Sequence, residues 1–208
     1  MPLFKCNEKE LFFLHIPKTG GSTISHGIDN LKNQSKEILY RTVDDQITDD
    51  TVPPQHYTYQ ECLDNIPDFN LIPKFTIIRN PSDRTVSDFL WQDENPTKLH
   101  SKRFNKWLFK SLKMYKKMNS YKHNHFVPQS NFIEKDVKVF LYENHIQARE
   151  YVNNYFDTDI SIRKFLKRSN VKRKPHVKEL CDDGIYKMWL EVYQKDIKLY
   201  EKLKRDLQ

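Results

Sequence analysis

Residues 11–23 carry the clearest structural pattern of the chain and read Leu11-Phe12-Phe13-Leu14-His15-Ile16-Pro17-Lys18-Thr19-Gly20-Gly21-Ser22-Thr23. The first six residues form a nearly continuous apolar run that ends at turn residues, which is typical of a strand buried on both faces. Two glycines then break the chain, and a helix is predicted from Ser22 to about Leu31. Such a strand–turn–helix segment predicts an anion-binding loop, because backbone N–H groups and the positive end of the helix converge there.

The rest of the chain continues to alternate between strand and helix patterns. Further strands are predicted at residues 37–43, 75–78 and 137–142, and further helices at residues 59–65, 81–91, 104–118, 146–154 and 185–203. The last helix is expected to present an apolar face made of Ile185, Met188, Leu190, Val192, Ile197 and Leu199. Alternation of this kind predicts an α/β fold with a parallel sheet flanked by helices. No segment reads as a linker, so residues 1–208 are expected to form a single domain.

Composition restricts the function without choosing it. The 208 residues carry a formal net charge of +7, which favours an anionic partner such as a nucleotide, a glycan, a nucleic acid or a membrane surface. Cys6, Cys62 and Cys181 are too far apart for a metal motif and are expected to be free thiols, although a disulfide between two of them stays open. The sequence shows no signal-peptide pattern and no apolar run of about 20 residues, so a cytoplasmic protein without a membrane span is expected.

A second candidate anion site lies at the end of the strand predicted for residues 75–78. Arg79 follows that strand, at the sheet edge where open α/β folds bind ligands, and a guanidinium can bind a phosphate with two hydrogen bonds. Ser87 lies eight residues later, on the helix predicted after Pro81, and its hydroxyl can donate to the same phosphate.

The glycine loop differs from the common nucleotide-binding P-loop, because Lys18 precedes both glycines instead of following the last one. It resembles the phosphosulfate-binding loop of sulfotransferases that use 3′-phosphoadenosine 5′-phosphosulfate (PAPS), especially the carbohydrate-type branch. This resemblance implies a P-loop-NTPase-like sulfotransferase fold with PAPS as the donor. It also implies that the 5′-phosphosulfate is bound by Lys18, Thr19, Gly20, Gly21, Ser22 and Thr23, and the 3′-phosphate by Arg79 and Ser87.

The resemblance also implies catalytic roles. Lys18 is expected to stabilise charge on the breaking bond, and His56, which lies between the two phosphate motifs, is expected to act as general base and contact the acceptor. An imidazole suits this task because its ordinary pKa lies near neutrality. Since some sulfotransferases use a carboxylate instead, the acidic residues nearby remain alternatives; they are Asp44, Asp45 and Glu61.

Two further segments carry weaker signals. His125 and Gln129 are candidates for the acceptor pocket, although a plain loop is an equal alternative, and no carboxylate or cysteine completes a metal site with His123 and His125. A basic run before the last helix resembles the family's late loop and can bind either the donor or an anionic glycan. Its candidate residues are Arg168, Ser169, Lys172 and Lys174.

Together these observations predict an enzyme that transfers a sulfuryl group from PAPS to an acceptor hydroxyl, with a sugar as the first choice of acceptor. Two alternatives stay open. One is a nucleotide or small-molecule kinase, and the other is a non-enzymatic binder of polyanions. No specific nucleic-acid-binding signature is present in the sequence, so nucleic acid is not expected as a partner.

Overall fold

A computed structural model describes residues 3–6, 8–24, 38–39, 52–92, 99–158 and 175–206. The strands are β1 (Leu3–Cys6), β2 (Lys9–Leu14), β3 (Ile38–Leu39), β4 (Lys74–Ile78) and β5 (Val137–Leu141). The helices are α1 at residues 21–24, α2 (Tyr59–Asn65), α3 (Pro81–Gln92), α4 (Ser101–Lys117), α5 (His145–Phe156), α6 (Val177–Leu180) and α7 (Asp183–Asp206). The strands form one sheet in the order β3-β1-β2-β4-β5.

The half of the sheet formed by β2, β4 and β5 is parallel. Phe13 of β2 lies opposite Phe75 of β4, which in turn lies opposite Lys138 of β5. The carboxyl ends of the three strands therefore meet at one edge, the edge where open α/β sheets bind ligands. The predicted α/β fold with parallel strands and flanking helices is confirmed. Of the strand predicted at residues 37–43, only Ile38–Leu39 lies within the described residues.

The other half of the sheet, formed by β3, β1 and β2, is antiparallel, and its strand β1 was not predicted from the sequence. Leu3 of β1 pairs with Phe12 of β2 on one side and with Leu39 of β3 on the other. A strand of four residues is too short to show a periodic pattern, and both Leu3 and Phe4 are buried. Its existence depends on pairing with its neighbours, which a scan for periodicity does not detect.

Successive residues of β2 point to opposite faces of the sheet, so this one strand supplies both cores. Leu11 and Phe13 pack in a cluster that includes Ala148, Val152 and Phe156 of α5. Phe12 and Leu14 pack in a second cluster, which reaches Tyr200 of α7. Residues 11–14 are fully buried, which explains why the predicted strand reads as a continuous apolar run instead of an alternating one.

The long helix α7 is confirmed, but the face predicted for it is incomplete. Its fully buried stripe consists of Ile185, Trp189, Tyr193, Asp196 and Tyr200. These residues repeat at helical spacing, and three of them are aromatic. The predicted face counted only aliphatic residues, and apart from Ile185 those side chains are only partly buried beside the stripe. Within the described residues, no helix has the length and apolar content needed to cross a membrane.

The guanidinium of Arg84 in α3 is buried and joins three backbone segments. Its Nε donates to the Pro17 carbonyl at 3.0 Å, Nη1 to the Val127 carbonyl at 2.9 Å and Nη2 to the His125 carbonyl at 2.9 Å. Arg84 is only 3% exposed. The loop after β2 and the segment around residue 126 are therefore joined through one side chain of α3.

Replacing Arg84 should destabilise the whole molecule, because three buried carbonyl groups lose their donor. We expect Arg84→Met to lower the free energy of unfolding by roughly 3–5 kcal/mol, since an unsatisfied buried polar group costs about 1–3 kcal/mol. Arg84→Lys, which keeps the charge but not the planar donor set, should fall between this variant and the wild type. Urea denaturation measures these changes.

The matched control is Arg205→Met, at an exposed position near the end of α7. We expect this substitution to change the free energy of unfolding by less than about 0.5 kcal/mol. Equal effects at the two positions would show that the Arg84 hydrogen bonds contribute nothing particular to stability.

Candidate active site

The predicted anion loop follows β2 and contains two residues in the left-handed region. Lys18 has φ 67° and Gly20 has φ 90°. Thr19 is fully buried, and its hydroxyl donates to the Ile16 carbonyl at 2.8 Å, so this side chain holds the turn from inside. A left-handed backbone at a residue with a side chain is strained, and such strain is concentrated at functional sites.

The requirement for glycine at position 21 comes from a neighbouring ring. A Cβ atom added there would lie 2.0 Å from Cδ2 of His15, far inside contact distance. The His15 ring is itself stacked on Phe13 at 5.5 Å between ring centroids. Gly21 therefore allows the imidazole of His15 to lie directly against the loop backbone, a role that sequence reasoning did not assign to either residue.

Arg79 follows β4, the strand beside β2, and reaches the anion loop. Its Nη1 donates to the Lys18 carbonyl at 3.3 Å, and its guanidinium lies 4.2 Å from the ring centroid of Tyr142, the residue after β5. Residues that follow all three parallel strands thus meet here. The Nε atom of Arg79 is buried and has no partner within the described chain, so a donor remains for a ligand to satisfy.

The side chain of Gln129 makes two hydrogen bonds to the backbone of Arg79. Its side-chain oxygen accepts from the Arg79 N–H and its side-chain nitrogen donates to the Arg79 carbonyl, both at 2.9 Å. The backbone N–H groups of Gln129 and Ser130 in turn donate to the buried carboxylate of Asp196. Gln129 is fully buried, so the structure gives this predicted acceptor residue an internal role, holding the end of β4 in place.

The other predicted donor-binding residues are placed less completely. Ser87 lies on α3 and is partly exposed. Ser22 is exposed in the first turn of α1, whereas the Thr23 N–H donates to the Gly20 carbonyl at 3.0 Å. The residues predicted in the basic run lie outside the described residues; they are Arg168, Ser169, Lys172 and Lys174.

His56, the predicted base, lies between two other imidazoles. It ends a short 3-10 turn, Pro54–His56, and its ring is 5.4 Å from the ring of His15 and 5.2 Å from the ring of His125. Its Nδ1 atom is buried and has no partner within the described residues. Burial, followed by the nearby rings of His15 and His125, holds the pKa of His56 well below its usual 6.5. His56 is therefore neutral at physiological pH, the form in which a base accepts a proton.

His125 is held by a carboxylate that the sequence analysis did not identify. Its Nδ1 lies 2.6 Å from Oδ1 of Asp88, and the two side chains are 8% and 4% exposed. Gln92 donates from Nε2 to the other oxygen of Asp88 at 2.9 Å. A signal for Asp88 was present in the sequence, because Asp88 lies one turn after Arg84 on the buried face of α3. Polar residues at core spacing on a helix indicate specific buried partners.

A strained turn precedes His125. Lys122, His123 and Asn124 have φ values of 50°, 54° and 65°, three left-handed residues in succession. The buried side chain of Asn124 uses its Nδ2 to donate to the His56 carbonyl at 3.0 Å and to Oε2 of Glu61 at 2.7 Å. The turn therefore positions the backbone of the predicted base.

The same contact bears on the alternative bases. Oε2 of Glu61 also accepts from the N–H and the hydroxyl of Thr58, so it caps α2 and is poorly placed to take a proton from a ligand. Asp44 and Asp45 lie outside the described residues. No group of three or more His, Cys, Asp or Glu side chains in the described ranges is arranged to hold a metal ion.

A glycine loop at a helix N-terminus and an arginine at the adjacent strand end of a parallel sheet are typical of α/β proteins that bind phosphate-like groups. The chain belongs to the sulfotransferase family, whose family model matches residues 1–202. It is therefore a transferase of sulfuryl groups, and this membership favours the sulfotransferase interpretation over the kinase and polyanion-binder alternatives. Neither the curated proteins nor the solved structures contain a match to the chain.

The buried imidazoles should make stability depend on pH. Burial is the main cause that lowers the pKa of His15 from 6.5 to about 3, so below pH 6.5 the unfolded chain binds a proton that the folded chain does not. Stability contributed by this residue is complete above pH 6.5 and is lost as the pH falls from 6.5 towards 3. At pH 5 the loss amounts to about 2 kcal/mol for one such histidine.

His15→Phe keeps a flat ring against Gly21 but cannot be protonated. Between pH 7.5 and pH 5, its free energy of unfolding in urea should therefore fall by about 2 kcal/mol less than that of the wild type. Comparing each protein with itself at the two pH values removes any constant effect of the substitution. The same fall in both proteins would contradict a buried, neutral His15.

Proposed function

We propose that this protein transfers the sulfuryl group of PAPS to a hydroxyl of a carbohydrate acceptor. The observation that carries the proposal is the meeting of the glycine loop with Arg79, whose Nη1 donates to the Lys18 carbonyl at 3.3 Å. Two cationic side chains and a backbone loop at the carboxyl ends of β2 and β4 match the needs of a donor with two separate anionic ends.

The residues present fit such a donor. The buried Nε of Arg79, which lacks a partner in the described chain, supports a role in binding the 3′-phosphate. Ser87 on α3 supplies a hydroxyl for the same group. In the glycine loop the Thr19 hydroxyl is turned inwards, so its contribution to phosphosulfate binding would come from its backbone. Gly20, Gly21, Ser22 and Thr23 complete the loop, with Lys18 as its point charge.

In the proposed reaction the acceptor oxygen attacks sulfur in line with the leaving phosphate oxygen. The new oxygen–sulfur bond forms as the bond between sulfur and the bridging oxygen breaks, and the acceptor proton moves to His56. Lys18 stabilises the negative charge that develops on the bridging oxygen, which leaves as part of 3′-phosphoadenosine 5′-phosphate (PAP). The low pKa of His56 keeps its imidazole unprotonated and ready to accept.

A carbohydrate acceptor is supported by the likeness of residues 15–23 to the carbohydrate-type loop and by the net charge of +7, which suits an acidic glycan. His125 borders His56 and is 9% exposed, so it forms part of the wall on the acceptor side. The acceptor is therefore expected to approach over the three imidazoles of His15, His56 and His125.

Donor binding is tested by titrating the protein with PAP in a calorimeter, without added metal. We expect micromolar affinity for PAP and at least tenfold weaker binding of ATP and AMP, which lack the 3′-phosphate. Arg79→Ala should weaken PAP binding at least tenfold, since a charge-assisted bidentate contact is lost. Lys110→Ala, which removes one exposed charge from α4, is the matched control and should bind PAP like the wild type. Equal affinity for PAP and ATP would refute the proposed donor.

Chemistry is tested by measuring PAP release from PAPS in the presence of glycan acceptors. Lys18→Ala and His56→Ala should each reduce turnover by roughly 100- to 1,000-fold, because they remove charge stabilisation and the proton acceptor respectively. PAP binding by His56→Ala should change little, because this side chain lies on the acceptor side. Wild-type turnover in His56→Ala would remove the histidine from the mechanism.

A further inference from the structure

Trp91 is a large aromatic side chain left half exposed at the edge of the candidate site. It lies near the end of α3 and is 53% exposed, although a tryptophan is normally well covered. The Nζ atom of Lys18 lies 4.6 Å from the centroid of the Trp91 ring. The other large hydrophobic side chains exposed in the described chain are Leu63, Leu71, Phe109, Met118 and Ile146, and none of them has a described contact with a predicted catalytic residue.

The indole of Trp91 is held on a prepared support. Its ring stacks on the imidazole of His125, with centroids 5.1 Å apart and planes inclined by 23°. His125 is fixed by Asp88, which lies one helical turn before Trp91 on α3, and Asp88 is fixed by Gln92. The ring therefore has a defined orientation before any ligand binds, which reduces the entropy cost of using it as a binding surface.

The position of Trp91 is that of an acceptor surface. The ring of His125 contacts both the indole of Trp91 and the ring of His56. The side chain of His125 therefore lies between the indole and the proposed base. The indole also borders Lys18, which stabilises the charge on the bridging oxygen in the proposed reaction. A group lying on the indole is thus close to both residues that act on the transferred sulfuryl group.

We propose that the exposed part of the Trp91 ring is a shelf on which a pyranose ring of the acceptor stacks. This inference rests on the proposed function and names the class of acceptor at its site. The apolar C–H face of a sugar ring can lie on an indole while its hydroxyl groups stay at the rim, where one of them can point towards His56. A half-open surface favours one ring of an extended glycan over a small phenol, because pockets for small ligands enclose most of the ligand surface.

The contact between Lys18 and Trp91 adds a link between donor and acceptor. In the structure the ammonium group lies over the indole, where the ring attracts it. When the donor is bound, the ammonium group of Lys18 contacts its bridging oxygen and moves towards the glycine loop. More of the Trp91 ring is then available to the sugar. Sugar binding should therefore be tighter in the presence of PAP than in its absence.

The experiment measures glycan binding by calorimetry, with and without saturating PAP. Two probes are used, a hexasaccharide of alternating glucuronic acid and N-acetylglucosamine and a neutral hexasaccharide of glucose, and 4-nitrophenol serves as a small aromatic alternative. In the wild type we expect at least one hexasaccharide to bind. Trp91→Ala should weaken that binding about tenfold or more, and Trp91→Phe should weaken it less, as expected for a central aromatic contact.

Phe109→Ala is the matched control. Phe109 is also a half-exposed aromatic residue with a lysine over its ring, since the Nζ atom of Lys113 lies 4.7 Å from its centroid, but it belongs to the outer surface of α4. Its removal should leave glycan binding unchanged. Equal losses in Phe109→Ala and Trp91→Ala would overturn the shelf, because general exposure of aromatic surface would then explain both.

The remaining outcomes separate this inference from the proposed donor. The pyranose shelf would be overturned if Trp91→Ala bound the glycan as tightly as the wild type does. It would also be overturned if the wild type bound 4-nitrophenol but neither hexasaccharide. In both cases PAP binding would still support the proposed donor. If glycan binding depends on Trp91 but the protein does not bind PAP, the shelf is supported and PAPS is excluded as the donor. Absence of binding by both hexasaccharides, with and without PAP, would also overturn the shelf.

Discussion

The buried guanidinium of Arg84 holds the two halves of the candidate site together. One of its hydrogen bonds reaches the Pro17 carbonyl, at the start of the anion loop, and two reach the carbonyls of His125 and Val127 on the proposed acceptor side. The side chain comes from α3, the same helix that carries Asp88 and Trp91. Because Arg84, Asp88 and Trp91 all belong to one helix, the distance between the anion loop and the imidazoles is set by the packing of α3.

The sequence was informative wherever function depends on local order along the chain. The strand before the anion loop, the strand before Arg79 and the helix after Arg79 each have a local sequence pattern, and each is present in the structure, as β2, β4 and α3. Lys18 and Arg79 could therefore be predicted to approach each other, because carboxyl ends of parallel strands share one edge. Their contact at 3.3 Å follows from that rule and from the adjacency of β2 and β4.

Residues that act through distant partners were not predictable in this way. Asp88 meets His125 across 37 positions of the chain, and Gln129 meets Arg79 across 50. No local pattern distinguishes such a glutamine from a surface residue, and neither its full burial nor its contact with Arg79 could be read from the sequence. Tyr142 illustrates the intermediate case, since its place after a predicted strand was visible but its contact with the Arg79 guanidinium was not.

The proposed acceptor side contains backbone strain that costs stability. Each left-handed residue in the turn at residues 122–124 costs about 1–2 kcal/mol, and the turn persists because its neighbours fix it from several sides. Asn124 makes two hydrogen bonds from one amide nitrogen, and His125 is paired with Asp88 directly afterwards. Strain that is held by so many partners near a site is typical of preorganised function, whereas a turn needed only for chain reversal could use glycine.

The low pKa of His56 would also couple the proposed base to the proposed donor. In the structure its low pKa results from burial and from the neighbouring rings of His15 and His125. The imidazole is therefore neutral, and it is a weak base because its protonated form is disfavoured. A donor with several negative charges beside Lys18 would favour the protonated imidazole and raise that pKa. His56 would then become a stronger base only when the donor is present. In the proposed reaction, such an arrangement would disfavour proton transfer from an acceptor that binds before the donor.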